Sequence, residues 1–323
     1  MMRRVLMTEQ GPPSVLRVVA GEVPEPGDGQ VLVRLTAAGV NVVDLYQRSG
    51  VYRVALPFTP GFEASGVVER LGGGVTGVAE GDRVAWMGSP GAYATHCAVG
   101  AERLVPVPEA LSDDIAVAAL VHGMTAHFLA SDVVAVGEGD TCLVHAAAGG
   151  VGGLLCQYAA LRGATVIATV SNADKAAAAR AAGARHVIDY TREDFEVRVK
   201  EITEGAGVDV VYDAVGRDTF SAGLTCLRPR GTFVLYGQTS GPAAPVDPQE
   251  LGSRGSLFLT KVSLGHYDRT PEQMLRRAGT VFGDVAAGRI RPRVHGEYAL
   301  AEASAAHDEL ESRRSIGKIV LRP

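Results

Sequence analysis

The stretch CLVHAAAGGVGG, residues 142–153, decides how this chain is interpreted. Its apolar start predicts a buried strand, and the glycines after it open a predicted helix near Val151. Gly149 lets backbone amides approach a bound phosphate, and Gly152 lets the helix pack closely on the strand. The helix N-terminus adds unpaired N–H groups and partial positive charge. The stretch therefore fits a dinucleotide-binding loop with Ala147 at the usual first glycine; a tight turn without a ligand is the alternative.

Apolar strand-like segments alternate with helical segments around this loop. A strand–helix alternation of this kind predicts parallel βαβ units. Six strands match the doubly wound layout of the Rossmann fold, in the α/β class. The predicted strands are residues 141–146, 165–170, 186–189, 208–213, 231–236 and 257–262.

The remainder of the 323-residue chain has a different pattern. Residues 1–120 are rich in short alternating segments and turns, which predicts a β-rich fold. After about residue 265, the sequence predicts helices over 271–288 and 298–313 and a closing strand over 317–321. This tail is too short to form its own core, so we expect it to pack on the N-terminal part.

The predicted organisation is a cofactor domain inserted into a discontinuous catalytic domain. A chain of this length fits two domains better than one. The catalytic domain takes residues 1–122 and 265–323, and the Rossmann domain takes residues 123–264.

Composition and charge narrow the possible partners and compartment. The net charge is −5 with no basic block, so no nucleic-acid partner is expected. No apolar run approaches the roughly 20 residues of a membrane span, and no signal sequence is evident. The four cysteines are too far apart for a zinc knuckle or a CxxC pair. We expect a cytoplasmic protein with no membrane partner.

The segment after the second strand of the predicted sheet bears on the choice of cofactor. An NAD site usually has Asp or Glu at this position, to bind the ribose hydroxyl. This chain has Ser171 and Asn172 there, with Lys175 close behind. An acid would repel a 2′-phosphate, whereas Ser171 and Lys175 suit it, so the sequence favours NADPH. Asp174 is the complicating residue, and its position predicts that it starts the next helix.

Several longer motifs together resemble the quinone oxidoreductase (zeta-crystallin-like) branch of the medium-chain dehydrogenase/reductase superfamily. The resemblance runs through nearly the whole chain and implies a GroES-like, β-rich catalytic domain beside the Rossmann domain. The motifs that carry it are AAGVNVVDLYQRSGVY (37–52), PFTPGFEASGVVERLG (57–72), GDRVAW (81–86), HGMTAHFL (122–129), HAAAGGVG (145–152), GARHVIDY (183–190), VDVVYDAVG (208–216) and GKIVL (317–321).

The resemblance also implies roles for individual residues. Three of them would line the nicotinamide and substrate cleft: Asn41, Tyr46 and Tyr52. The residues implied to bind the cofactor, from the nicotinamide end through the pyrophosphate to the 2′-phosphate and back from the catalytic domain, are Thr125, Ala148, Gly149, Gly150, Val151, Ser171, Lys175, Tyr190, Gly237, Gln238, Arg313 and Lys318. A one-residue shift would put Arg314 in place of Arg313. Each tyrosine, Asn41 and Arg313 also has a purely structural interpretation, in packing, a turn or a helix end.

This chain lacks the zinc-binding residues of the zinc-dependent relatives. They need a cysteine in the segment that matches residues 38–44 and a Gly-His-Glu where this chain has Gly61-Phe62-Glu63. Catalytic zinc requires three protein ligands, and Phe62 cannot be one. The sequence therefore predicts an enzyme with no metal.

Without a metal to polarise a plain ketone, a conjugated acceptor is the more suitable substrate. Quinones and α,β-unsaturated carbonyls spread the developing negative charge onto oxygen, where Tyr52, Tyr46 and Asn41 would donate hydrogen bonds. This chemistry favours conjugated carbonyl acceptors, and the family resemblance narrows the expected reaction to NADPH-dependent reduction of quinones. The alternatives are a 2-alkenal or enone double-bond reductase and an NADPH-binding protein with little turnover. The resemblance also implies a homodimer, and pairing with a second subunit would cover the apolar strand 257–262, which would otherwise be an exposed edge.

Overall fold

The computed structural model describes all 323 residues, which fall into two compact units. The first comprises Met1–Val121 and Thr270–Pro323, and the second comprises His122–Arg269. The first boundary lies one residue before the predicted one, and the second lies five residues after it. Residues 265–269 stay with the second unit, where the ring of Tyr267 stacks on Phe128 with centroids 4.6 Å apart.

The first unit is built on a seven-stranded sheet. The strand order is β14-β15-β3-β4-β5-β7, with β6 paired to β3, and β1 and β2 form a separate antiparallel pair. Long β3 is the centre of this sheet, because it pairs with β4, β6 and β15. The strands are β1 Met2–Leu6, β2 Arg17–Gly21, β3 Gln30–Val40, β4 Glu63–Leu71, β5 Arg83–Met87, β6 His96–Gly100, β7 Val105–Pro106, β14 Val294–Ala299 and β15 Lys318–Arg322.

Helices α1 (Val42–Ser49), α9 (Pro271–Ala286) and α10 (Ala303–Glu311) complete this unit. The inward faces of the strands form one apolar core around the fully buried Trp86 and Tyr93. This arrangement is the β-rich domain expected from the alternating pattern.

One sequence prediction in this unit is wrong. The helix expected over 298–313 begins only at Ala303, and Tyr298 belongs to strand β14. Tyr298 is paired with Leu321 in the parallel ladder between β14 and β15, so its backbone hydrogen bonds go to a strand. The edge position of this ladder overrides the local helical pattern.

The second unit contains the predicted six-stranded parallel sheet, in the order β10-β9-β8-β11-β12-β13. Strand β8 lies between β9 and β11, so the chain direction across the sheet reverses there. In doubly wound sheets, ligands bind outside the carboxyl ends of the strands at this switch point. The strands are β8 Thr141–Val144, β9 Thr165–Val170, β10 His186–Asp189, β11 Val208–Asp213, β12 Leu227–Leu235 and β13 Phe258–Lys261.

Helices connect these strands, as the alternation predicted. They are α3 Gly150–Leu161, α4 Ala173–Ala181, α5 Phe195–Ile202, α6 Phe220–Thr225, α7 Pro248–Ser253 and α8 Leu264–Tyr267.

Helix α2 (Asp113–Phe128) carries the chain from the first unit into the second and continues as a π-helical turn to Val133. The 21 residues from Asp113 to Val133 are long and apolar enough to cross a membrane by length and composition. Of the apolar 18-residue window within this stretch, 61% is buried inside the protein, which is the ordinary state of a core helix. Two acidic residues, Asp113 and Asp114, lie in the first turn of this helix.

Candidate active site

The glycine loop joins β8 to α3 at the switch point of the sheet. Gly149 is the N-cap of α3, and its amide donates to the carbonyl of Ala146 at 2.9 Å. A Cβ at Gly152 would lie 2.3 Å from that same carbonyl oxygen, which no side chain can tolerate. The close helix–strand packing predicted for Gly152 is therefore present. Ala146 adopts the left-handed backbone conformation, with φ 53°. The residue at position 147 does not adopt it, so the loop accommodates Ala147 in place of a glycine.

The next glycine of the loop has a separate steric reason. A Cβ at Gly150 would lie 2.0 Å from Nδ1 of His122. The first turn of α3 thus lies directly on the His122 ring, on α2. Thr125, the residue implied to contact the nicotinamide, follows His122 by three residues and is partly buried. Residues three apart share a helix face, so Thr125 lies on the side of α2 that meets the loop.

The three residues expected around the adenosine ribose lie together in the structure. The Lys175 ammonium donates to Oγ of Ser171 at 3.3 Å, and the Tyr190 amide donates to the carbonyl of Val170 at 3.1 Å. Asn172 caps α4 through the Lys175 amide, at 2.9 Å. Asp174 lies in the first turn of α4, as expected. The carboxyl ends of β9 and β10 therefore present a hydroxyl, an ammonium and a half-exposed phenol.

The loop after β12 carries Gly237 and Gln238 and lies against the loop after β11. A Cβ at Gly237 would lie 2.6 Å from the carbonyl oxygen of Ala214, so the two loops pack backbone to backbone. The Gln238 Oε1 accepts from the Lys261 ammonium at 3.0 Å. The organising residue was missed by sequence reasoning: buried Asp213 accepts hydrogen bonds from the Val215 amide, the Gly216 amide and the Thr219 hydroxyl. Its only signal was its place in the motif VDVVYDAVG.

In the first unit, Asn41 caps α1 and joins a buried polar cluster. Its amide Nδ2 donates to Oε1 of Glu63 at 3.0 Å, and its Oδ1 accepts from the Lys318 ammonium at 2.7 Å. Lys318 also forms an ion pair with Glu63. The exposed fractions of the three residues are 5% for Asn41, 0% for Glu63 and 1% for Lys318. The ammonium implied to contact the cofactor thus has two buried protein partners.

Tyr46 and Tyr52 form an aromatic pair close to this cluster along the chain. Their ring centroids are 5.3 Å apart in an edge-to-face arrangement, and the Tyr52 amide donates to the Tyr46 carbonyl at 2.9 Å. Gln10 fixes the segment by donating to the carbonyls of Gln47 and Tyr52 at 2.7 and 2.9 Å. Tyr52 is 46% exposed.

Arg313 lies just beyond the C-terminus of α10, in the left-handed region with φ 58°. The position usually favours glycine. Its side chain is exposed. Arg314, the alternative after a one-residue shift, instead forms an ion pair with Glu309 at 2.6 Å. The two arginines therefore differ in backbone conformation, and the role implied for Arg313 stays a prediction.

The first unit also contains a buried series of hydrogen bonds that the sequence did not predict. The hydroxyl of Tyr93 donates to Oδ2 of Asp44 at 3.3 Å and lies 3.0 Å from Nε2 of His307. Burial raises the pKa of Asp44 to about 7, although the Asn41 amide and Lys318 act in the opposite direction. Burial, helped by the charge of Arg48, lowers the pKa of His307 to about 3. Near pH 5 to 6, Asp44 is therefore protonated and the imidazole of His307 is neutral.

No group of three or more His, Cys, Asp or Glu residues in the chain is arranged to hold a metal ion. Glu63 faces Lys318, Asn41 and the Val121 amide, which donates to its Oε2 at 3.1 Å. Its carboxylate is thus fully engaged by hydrogen-bond donors.

The predicted site residues therefore form two groups, one in each unit. The second unit contains the glycine loop, the Ser171 cluster and the loop after β12 that carries Gly237 and Gln238. The first unit brings together Asn41 and Lys318, pairs Tyr46 with Tyr52, and leaves Arg313 exposed at a helix end.

Two family models and many known proteins match this chain. A family model for the alcohol dehydrogenase GroES-like domain matches residues 27–109, and one for zinc-binding dehydrogenases matches residues 150–279. A quinone oxidoreductase of Pseudomonas aeruginosa is 41% identical over 100% of both chains. A 2-haloacrylate reductase of a Burkholderia species is 44% identical over 94% of this chain and 93% of its own.

A solved structure extends the comparison to three dimensions. The crystal structure of Escherichia coli quinone oxidoreductase in complex with NADPH superimposes with a TM-score of 0.96 and is 38% identical in sequence. The match covers 99% of this chain and 100% of the other. This chain belongs to the quinone oxidoreductase branch of the medium-chain dehydrogenase/reductase superfamily.

Proposed function

We propose that the protein is an NADPH:quinone oxidoreductase that works without a metal. The observation that carries the proposal is the glycine loop followed by Ser171, Lys175 and Tyr190 in one cluster. The loop has no room for side chains at Gly150 or Gly152, so backbone amides meet the pyrophosphate. The relative of known structure binds NADPH with the same fold.

The Ser171 cluster supports the phosphorylated cofactor over NAD. A 2′-phosphate carries negative charge and several acceptor oxygens, which the Lys175 ammonium and the Ser171 and Tyr190 hydroxyls satisfy as donors. Their positions follow from the capped start of α4 and from the ladder between β9 and β10.

When bound, NADPH supplies the hydride, and the protein supplies binding, orientation and hydrogen-bond donors. Tyr52, half-exposed and held by Gln10 and Tyr46, donates to the acceptor oxygen on which negative charge develops. The Asn41 amide is held by Glu63 and Lys318, so we assign it to placing the start of α1.

The test is a substrate panel with both cofactors. Oxidation of NADPH and NADH is followed at 340 nm with benzoquinones, naphthoquinones, enones and 2-alkenals, and metal content is measured on the same chelator-washed sample. We expect quinones to give the highest kcat/KM, with NADPH preferred over NADH. Equal use of both cofactors would contradict the role of Ser171 and Lys175, and stoichiometric zinc would contradict the metal-free mechanism.

A conjugated-alkene reductase is the second candidate, and the 44% identical 2-haloacrylate reductase favours it. Hydride transfer to an enone or haloacrylate uses the same cofactor site and also places charge on oxygen. A kcat/KM for enones or haloacrylates above that for every quinone would select this candidate. Tight NADPH binding with no turnover on any acceptor would instead favour an NADPH-binding role.

We also propose that the protein is a cytoplasmic homodimer. Strand β13 pairs only with β12, and on this open edge Phe258 is 58% exposed and Leu259 is 37% exposed. An apolar open edge is a natural site for strand pairing between two subunits. Sedimentation of the wild type should give twice the 33.6 kDa chain mass, and Phe258→Asp should shift it toward the monomer.

A further inference from the structure

We infer that Lys318 is a positioning residue of the reduction: through Glu63 and Asn41 it fixes the start of α1, and it does not bind the cofactor phosphates. This inference rests on the proposed function for its kinetic test. Its starting point is the buried cluster described above, in which the Lys318 ammonium bonds to Asn41 at 2.7 Å and forms an ion pair with Glu63.

The cluster is closed to solvent and leaves no space for a ligand group. A Cβ at Gly39 would lie 2.3 Å from Oε1 of Glu63 and 2.5 Å from Cε of Lys318. The two charged side chains therefore rest directly on the β3 backbone, and only glycine is accommodated there. A phosphate contact by Lys318 would require it to abandon a buried carboxylate, which is strongly unfavourable.

The cluster joins segments that are distant in sequence. Glu63 begins β4, Lys318 begins β15, and Asn41 follows β3 and caps α1. The second oxygen of Glu63 accepts from the Val121 amide at 3.1 Å, in the middle of α2. One carboxylate thus fixes the N-terminus of α1, which leads to Tyr46, and the part of α2 that leads to Thr125.

This geometry gives Lys318 a definite effect on Asn41. With the ammonium present, the amide oxygen accepts from Lys318 while the amide nitrogen donates to Glu63, so only one orientation of the amide satisfies both partners. Without the ammonium, Glu63 loses its charge partner and the Asn41 oxygen loses its donor. Asn41 and the first turn of α1 are then free to reorient, and the pair Tyr46–Tyr52 on that segment moves with them.

The experiment compares Lys318→Met and Glu63→Gln/Lys318→Met with Arg322→Met. Arg322 lies on the same strand and pairs with Asp114 of α2 and with Glu297, but it does not contact the Asn41 cluster. It therefore controls for weakening of β15 and its packing. For each purified full-length variant, kcat and KM for a quinone, the NADPH dissociation constant and the melting temperature are measured, and Lys318→Met is crystallised.

We expect Lys318→Met to lower kcat at least 10-fold while the NADPH dissociation constant changes less than 2-fold. The double variant should recover melting temperature, because it removes both buried charges, but it should not recover kcat. Arg322→Met should keep kcat within 2-fold. A 10-fold weaker NADPH complex for Lys318→Met, or an unchanged kcat, would overturn the inference.

The crystal structure of the Lys318→Met variant makes failure of this inference distinguishable from failure of the proposed function. If the wild type reduces no acceptor, the proposed function fails, whereas the positioning role is still decided by the orientation of Asn41 in Lys318→Met. An Asn41 amide that keeps its wild-type position and its contact with Glu63 would refute the positioning role, whatever the activity.

Discussion

The hydroxyl of Tyr93 lies 3.0 Å from Nε2 of His307, although the two residues are 214 positions apart in the chain. The same hydroxyl donates to Asp44, so one phenol joins an acid and a base in the core of the first unit. Their pKa values are shifted toward the neutral forms, to about 7 for Asp44 and about 3 for His307. Burial disfavours an ion pair here, and a neutral acid beside a neutral base is the result.

The first prediction concerns Asp44 and the pH dependence of stability. Because its folded pKa is above its unfolded value of 3.8, native Asp44 keeps a proton that the unfolded chain releases. Its contribution to stability is therefore present below about pH 4 and is lost as the pH rises to about 7, a change of about 4 kcal/mol. In Asp44→Asn this loss is absent. Measured by urea unfolding, the free energy of unfolding of the variant should therefore rise relative to that of the wild type between pH 4 and 7. A constant difference across that range would refute the shifted pKa.

The second prediction concerns His307, for which the sign is opposite. Its folded pKa is below its unfolded value of 6.5, so the unfolded chain takes up a proton that the native state excludes. Stability from this source is present above about pH 6.5 and is lost as the pH falls toward 3, a change of about 5 kcal/mol. The free energy of unfolding of His307→Gln, measured in urea, should therefore rise relative to that of the wild type as the pH falls from 6.5 toward 3. In the wild type, the contributions of Asp44 and His307 to stability should nearly cancel between pH 4 and 6.5. A free energy of unfolding that changes steeply with pH in this range would contradict the paired pKa shifts.

The sequence predicted the elements of this fold better than it predicted its buried contacts. Six parallel strands and the glycine loop follow from local patterns, because apolar runs and glycine spacing are contained within about 20 residues. The contacts of Tyr93 with His307 and of Glu63 with Lys318 join segments 214 and 255 positions apart, and no local pattern encodes them. The motif GKIVL predicted the strand, but its lysine is buried only because β15 begins beside Glu63.

The third prediction tests the steric argument at the glycine loop with two adjacent residues. A methyl group at Gly152 would overlap the carbonyl oxygen of Ala146, whereas at Gly153 its nearest neighbour is the Ala147 carbonyl oxygen at 3.6 Å, an ordinary contact. Gly152→Ala should therefore cost about 1–3 kcal/mol and weaken NADPH binding. Gly153→Ala should be neutral or stabilise α3 by up to about 1 kcal/mol. Thermal unfolding and cofactor titration of both variants check this; equal effects would show that the loop relaxes freely.

The fourth prediction concerns cofactor choice at the end of β9. Ser171→Asp places a carboxylate beside the Lys175 ammonium, which lies 3.3 Å from the Ser171 hydroxyl; the carboxylate would repel the 2′-phosphate and neutralise Lys175. The NADPH dissociation constant should rise 10- to 100-fold, about 1.4–2.7 kcal/mol, while NADH binding holds or improves. Ser171→Ala is the matched control and should weaken NADPH by less than 10-fold. A uniform loss of both cofactors in Ser171→Asp would indicate local unfolding and not a change in selectivity.

The last prediction separates backbone strain from cofactor binding at Arg313. A left-handed conformation costs a residue with a Cβ about 1 kcal/mol, so Arg313→Gly should stabilise the protein or leave its stability unchanged. If the exposed guanidinium contacts the 2′-phosphate, the same variant should raise KM for NADPH several-fold and leave KM for NADH unchanged. Arg314→Ala breaks the ion pair with Glu309 instead and should leave both KM values within 2-fold. Higher stability together with weaker NADPH binding is the signature of a residue whose strained conformation is kept for its ligand, and an Arg313→Gly variant with an unchanged NADPH KM would assign Arg313 to the helix end alone.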